Sequence, residues 1–300
     1  YHQYKAFTKT FDGISGSAGL SYIMSKELHF KANISRGYRA PGITELASNG
    51  LDPGARIVYL GNQQFNAEFS NQQDLGAFFE NKTIDASLSI FNNYIQNYIY
   101  LAQLADVNNV PVTDAQGNRT FKYQQSKAQL YGLEASFTLH PEVLVGFNMI
   151  NNFQFVHGYN RNEAFRDTKN YGSYLPFIPP AQWNMILSQD IKVKKWNIKN
   201  LSPRFEIEYH AQQSRFMALY GTETFSPAYL LMHASMQIEL FSKGQNNLIM
   251  QVFANNLTDE IYQSNMSRLK YFEYYNDTRR NTQGIYNMGR NAGAKIIYHF

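Results

Sequence analysis

The chain has 300 residues, a formal net charge of +4, no Cys, and 22 Tyr and 22 Phe. Lacking Cys, it has neither a disulfide framework nor a thiolate metal site, and with a mean hydropathy of −0.44 it holds no apolar run long enough for a transmembrane helix. Lys and Arg are scattered along the chain rather than gathered in a block, which argues against a nucleic-acid partner.

In chain order, the first residue is Tyr1 and no charged start with an apolar stretch precedes the first motif, so the expectation is a removed leader or a piece of a longer chain. "YHQYKAFTKTFDG" alternates poorly. The glycines of "GISGSAG" (13–19) lead into an alternating strand, where they ease bending or lumen clearance rather than cradle phosphate. Period-two segments follow at "SAGLSYI", "LHFKANIS", "IDASLSIFNN", "LYGLEASFTL", "VLVGFNMINNFQF" and "QWNMILSQDI". In "PRFEIEYHAQ", Phe205, Ile207, Tyr209 and Ala211 oppose Arg204, Glu206, Glu208, His210 and Gln212. In "LLMHASMQIEL", Leu230, Met232, Ala234, Met236, Ile238 and Leu240 oppose His233, Ser235, Gln237 and Glu239. "NLIMQVFANN" and the closing "GRNAGAKIIYHF" complete a set of about eleven strands, since no helix sorts residues this way.

The connections alternate in length. Short turns fall at "SKE" (25–27), "ENK" (80–82), "HPE" (140–142), "VKKW" (193–196) and "SKGQ" (243–246); long polar, aromatic-rich stretches fall near 39–68, 104–121, 158–175, 213–227 and 264–287. A soluble sandwich gives no reason for one end to own every long loop. A transmembrane antiparallel barrel does: lipid meets the apolar face, the lumen is polar, turns are short on the periplasmic side and loops are long outside. Tyr22, Tyr94, Trp183, Trp196 and Tyr209 fit aromatic girdles. Lys31, Asn33, Asp85, Glu134, Asn148, Asn152, Asn184, Glu206, Glu208, His233, Gln237, Glu239 and Gln251 take the lumen face. The last strand ends at the short-turn side and the first starts outside, an odd count, whereas single-chain bacterial barrels close on an even one. Either residues 1–11 add a twelfth strand, or the chain is the latter part of a larger barrel, the reading preferred here.

Four segments then resemble one family. "ISRGYRAPGITELASNG" (34–50), "LYGLEASF" (130–137), "FANNLTDEIYQ" (253–263) and "GIYNMGRNAGAKIIYHF" (284–300) are similar, in order and spacing, to boxes of the TonB-dependent outer-membrane receptors. The resemblance implies an all-β barrel of about 22 strands with a plugged lumen, of which this chain is the carboxyl-terminal half; the plug and the TonB-engaging motif have no counterpart in it. It further implies import of an iron complex, a ferric siderophore foremost, driven by TonB with ExbB and ExbD. Ile296, Tyr298 and Phe300 would be the signal offered to the outer-membrane assembly machinery.

No catalytic signature emerges. An anionic complex entering from outside calls for aromatics and cations at the outer loops, which nominates Tyr38, Arg39, Arg56, His210, Arg215, Arg268, Arg279 and Arg280; Arg161 and Arg166 lie in similar places. Outer-loop cations also meet lipopolysaccharide phosphates. Haem is a second cargo to weigh: "YRAP" matches the haem-receptor box, but no His lies between Pro41 and "NAEF" (66–69), leaving His157 and His210 near strand ends and His233 on the lumen face. Cobalamin is a third cargo, and a self-contained twelve-strand channel or rim enzyme is the rival architecture.

Overall fold

The computed structural model describes residues 6–106, 110–163, 172–193, 197–219, 223–243, 246–272, 275–278 and 282–300; Trp196, Arg166, Arg279 and Arg280 lie outside the described residues. The chain runs β1 (Gly16–Ile23), β2 (Leu28–Arg39), a short helix α1 (Ile43–Ala47), β3 (Asn49–Asp52), β4 (Ile57–Leu60), β5 (Glu68–Glu80), β6 (Ile84–Gln103), β7 (Arg119–Leu139), β8 (Phe147–Asn160), β9 (Gln182–Gln189), β10 (Ile191–Lys192), β11 (Asn200–His210), β12 (Tyr229–Lys243), β13 (Asn246–Asn255), β14 (Asn276–Asp277), β15 (Thr282–Gln283) and β16 (Asn291–His299). Eleven of these form one antiparallel path, β1-β2-β5-β6-β7-β8-β9-β11-β12-β13-β16, each strand beside its successor. Among the described residues the sheet is open, with β1 and β16 each paired on one side only.

Register carries the period-two pattern across strands. Phe205, Ile207 and Tyr209 lie opposite Leu187, Met185 and Trp183 on one neighbour and opposite Ala234, Met232 and Leu230 on the other. The same face continues through Met250, Val252 and Ala254 to Ile296, Ala294 and Ala292, so the apolar half of the closing segment belongs to one apolar sheet surface. A hollow of about 610 Å³ on that surface is lined by Phe147, Leu187, Phe205, Met236 and Val252 among others; in a membrane this is a lipid-facing surface rather than a ligand pocket. The opposite face is polar and internally bonded: Asn33 donates to Asp74 (3.3 Å), Asn184 to Glu206 (2.7 Å), and Arg204 pairs with Glu206 (2.8 Å).

Two features depart from simple alternation. Between Ile95 and Tyr98 the β6–β7 register shifts by one residue, and the extra residue, Asn97, sits at φ 59°, a left-handed conformation Asn tolerates better than most. Downstream of this bulge the faces exchange, so Ile99 and Tyr100 bury against different loops. The stretch 39–68, expected as loop, holds α1 and the β3–β4 hairpin, whose second strand adds in parallel to the outer end of β7 (Ile57 opposite Arg119).

Candidate functional site

The long connections gather at one end of the sheet and contain its best-packed parts. Tyr100 and Ala102 from β6 pack with Met217 and Leu219; Leu46 and Phe65 pack with Ile99, joined by Phe11 and Tyr123. Leu175 and Met217 are each only 1% exposed. Among the described residues the fully buried side chains thus lie in loops and outer strand ends.

Polar groups lock three of these loops together. Glu223, 2% exposed, accepts from the backbone N–H of Phe177 (3.1 Å) and of Met217 (3.0 Å). Phe177 needs the tie, since its φ of 56° is costly for a bulky side chain. Lys270 donates its ammonium to the Thr224 and Phe225 carbonyls (2.9 Å each) and to the Ser226 hydroxyl. Asn265 donates to the Ile178 carbonyl (3.0 Å), as does Gln213 (2.7 Å). Gly284 closes the third loop at φ 85°, where a Cβ would stand 2.0 Å from the Lys270 carbonyl oxygen, so only Gly fits. Burial pushes the Glu223 carboxyl up to about 7 against its two N–H donors, and pushes the Lys270 ammonium down to about 8.

The predicted site residues fall in different places. Arg39 reaches Glu68 with Nε and Glu45 with Nη1 (2.9 and 3.0 Å), while Glu45 also accepts from the Gly42 N–H at the start of α1 (2.7 Å). Its charge is therefore matched by two carboxylates, and the "YRAPGITE" box is a joint that fixes α1 on the sheet. Tyr38 lies on the apolar-face parity, 5.5 Å from the Phe69 ring, with Gly13 close against it. Arg56 occupies the β3–β4 turn at φ 54°; Asp114 is held low first by the Asn118 amide and also by Arg56. Arg268 is exposed on a short 3-10 turn, near Tyr59, whose phenol burial pushes up and Arg268 pulls back. Arg215 leans on His157, on the apolar-face parity, away from the polar face.

His210 is brought into a constellation. It stacks on Tyr229 (4.5 Å, 18°), which meets Tyr262 (4.4 Å). Glu208 stands 3.7 Å from both His210 and His233, and His233 contacts Asn255 (3.3 Å). Below them a hollow of about 300 Å³ is lined by Arg204, Glu206, Glu208, His233, Gln251 and Asn255 among others. Among the described residues no set of three His, Asp or Glu is arranged to hold a metal ion. Glu223 and Lys270 escaped the sequence reading, because lone charged residues in irregular segments carry no periodic signal.

An open antiparallel sheet with one apolar and one polar face, crowned at one end by folded loops, defines the wall of an outer-membrane β-barrel. The family model described as "TonB dependent receptor-like, beta-barrel" matches residues 1–257: the chain belongs to the TonB-dependent receptors, a family of transporters of the Gram-negative outer membrane. Among solved structures, that of the copper transporter OprC is similar at 14% identity with a TM-score of 0.73, over 95% of this chain and 39% of that one. The ferric enterobactin receptor of Pseudomonas aeruginosa with enterobactin bound gives 20% and 0.64, over 95% and 40%. The ferric yersiniabactin uptake receptor FyuA of Yersinia pestis gives 16% and 0.63, over 95% and 37%. At these identities the likeness concerns the fold. The chain spans about two fifths of the length of these structures.

Proposed function

We propose that this chain is the carboxyl-terminal half of a receptor that imports an anionic iron complex, a ferric siderophore foremost, across the outer membrane with energy delivered through TonB, ExbB and ExbD. The observation that carries the reading is the pairing of a polar inner wall with a structured outer cap: the loops present Arg56 and Arg268 outside, and beneath them the wall offers the Glu208, His210 and His233 constellation. Guanidiniums at a rim concentrate and orient anions, and the wall's carboxylates and imidazoles suit a ligand passing inward or a plug packed against it. That similar folds serve as receptors for ferric enterobactin and ferric yersiniabactin supports the choice of cargo.

A second reading is copper import, suggested by the likeness in fold to OprC and not by a ligand set, since Glu208, His210 and His233 are not arranged to hold a metal ion. Haem remains the third. The test is deletion of the full-length gene, with growth followed under iron limitation on single ferric siderophores or haem, and under copper limitation. A defect on one ferric siderophore, reproduced by deleting tonB, is expected. A defect confined to haem or to copper would overturn the first reading.

A further inference from the structure

We propose that the outer ends of β6 and β7, with α1 and the β3–β4 hairpin, form a lid that swings about a hinge line at Arg39, Glu68, Asn97 and Gln125 and parts from the tied loops along one apolar seam. The hinge line is where side chains take over from the backbone ladder. At the Asn97 bulge the β6–β7 register breaks, and the buried Glu68 accepts the Ile99 N–H while also holding Arg39. Asn97 donates its side-chain amide to the Ala67 carbonyl (2.9 Å). Gln125 donates to the carbonyls of Asn97 (3.0 Å) and Asn66 (2.7 Å) and accepts the Asn66 N–H (3.1 Å). Strands β2, β5, β6 and β7 are thus joined at one level by side chains, whose torsions absorb a change of angle that a continuous ladder resists.

Beyond this line the chain forms one body. β4 lies beside the outer end of β7, and Leu46, Phe65 and Ile99, with Phe11 and Tyr123, give the lid a core of its own. Its other face points inward. Tyr98 pairs with Ser126 and Tyr100 with Gln124, in step with Ala128 and Leu130 on the lumen side of β7. Tyr98, Tyr100 and Ala102 therefore look toward the interior, where they rest on Met217 and Leu219. Near the hinge line, Asn160 at the end of β8 accepts from the Ser126 hydroxyl (2.6 Å) and donates to the Tyr100 hydroxyl (3.4 Å).

Met217 belongs to the opposite body. Its N–H is held by Glu223, which also holds Phe177, while Gln213 and Asn265 hold Ile178 and Lys270 holds Thr224 and Phe225. Separating those loops from one another breaks buried bonds to charged groups, each costly to lose. The seam between Ala102 and Met217 is instead contact between apolar side chains, which is non-directional and re-forms in place. The cap therefore yields at the seam first, and parting there opens a way to the polar inner wall. The lid belongs to the cap and its hinge, whichever complex is carried.

The experiment uses the full-length receptor in bilayers, with any Cys elsewhere replaced and no cargo added, and reads how fast single cysteines react with a water-soluble maleimide. Ala102→Cys and Met217→Cys stand on opposite sides of the seam, at positions 0% and 1% exposed, and Leu175→Cys, also at 1%, lies in a tied loop. The two seam positions are expected to react at one common rate, about tenfold or more above that at 175. Glu68→Gln weakens ties made in the closed geometry, and is expected to speed both seam positions about tenfold while leaving 175 unchanged. Heat-modifiable migration on a gel verifies folding. Should Glu68→Gln misfold, Asn97→Gly keeps the left-handed backbone and drops one tie, and is expected to speed both about threefold. Reaction at only one of the two seam positions, a seam rate no higher than that at 175, or seam rates unmoved by the hinge variant would each overturn the proposal.

Discussion

The strand wall and the loop cap of this molecule are built on different physics. Along β11 and β9 almost every side chain is half-buried, because each face of a single sheet meets something other than protein: hydrocarbon on one side, and on the other a lumen. Wall order comes from the backbone ladder and from the match between side-chain parity and solvent. The cap resembles a small globular core, with Leu175, Met217, Glu223 and Asn265 each at most 2% exposed. A mutation therefore acts through cavities and orphaned polar groups in the cap, and through solvent mismatch in the wall.

That contrast can be broken by substitution in the full-length receptor. The largest effect is expected from Lys270→Met, which strands the Thr224 and Phe225 carbonyls and leaves Glu223 without its nearby cation; local cap stability should fall by about 3–5 kcal/mol, read as faster amide exchange at 223–227. Leu175→Ala should cost the cap about 3 kcal/mol through a cavity, while Leu88→Ala on the wall, 44% exposed in this chain, should cost less than about 1 kcal/mol. Equal costs for the two would end the comparison.

The cap should also be sensitive to pH where the wall's outer face is not. Glu223 binds its proton more tightly folded than unfolded, with the carboxyl raised from 4.5 to about 7. Stability is then full below pH 4.5 and falls as pH rises to about 7, by about 3 kcal/mol. Lys270, lowered from 10.5 to about 8, works in the opposite sense at the alkaline end, restoring stability as pH climbs through that window. Glu223→Gln should flatten the acidic arm, measured by amide exchange at Phe177 and Met217 between pH 5 and 7. The smallest effect is expected at the exposed Lys82–Glu142 pair (3.8 Å): Lys82→Ala should change thermal stability by less than about 0.5 kcal/mol.

The wall was legible in the sequence because period-two sorting is a direct image of its two environments. The parity read for Phe205 through His210 and for Leu230 through Ile238 is the parity of the register. One spanning strand, β5, was not singled out, since Asn71, Gln72, Gln73 and Asp74 put polar residues on both faces at its centre; its neighbours on either side hold it in place. The cap was not legible. Glu223 and Phe177 are 46 residues apart, as are Lys270 and Thr224, and contacts between irregular segments leave no repeat to read. "YRAPGITE" was visible as a motif, but only the contacts of Arg39 with Glu45 and Glu68 showed a structural joint.

The central claim is that the odd-numbered side chains of β11 touch hydrocarbon while the even-numbered ones face the barrel interior. This chain has no Cys, so single cysteines at positions 205 to 209, in a receptor with any Cys elsewhere replaced and in bilayers, can each carry a nitroxide. Relaxation by dissolved oxygen, which partitions into lipid, is compared with relaxation by a water-soluble nickel complex. The account predicts a period of two, with oxygen dominant at 205, 207 and 209 and weak at 206 and 208. A flat profile, or nickel dominance at the odd positions, would contradict it.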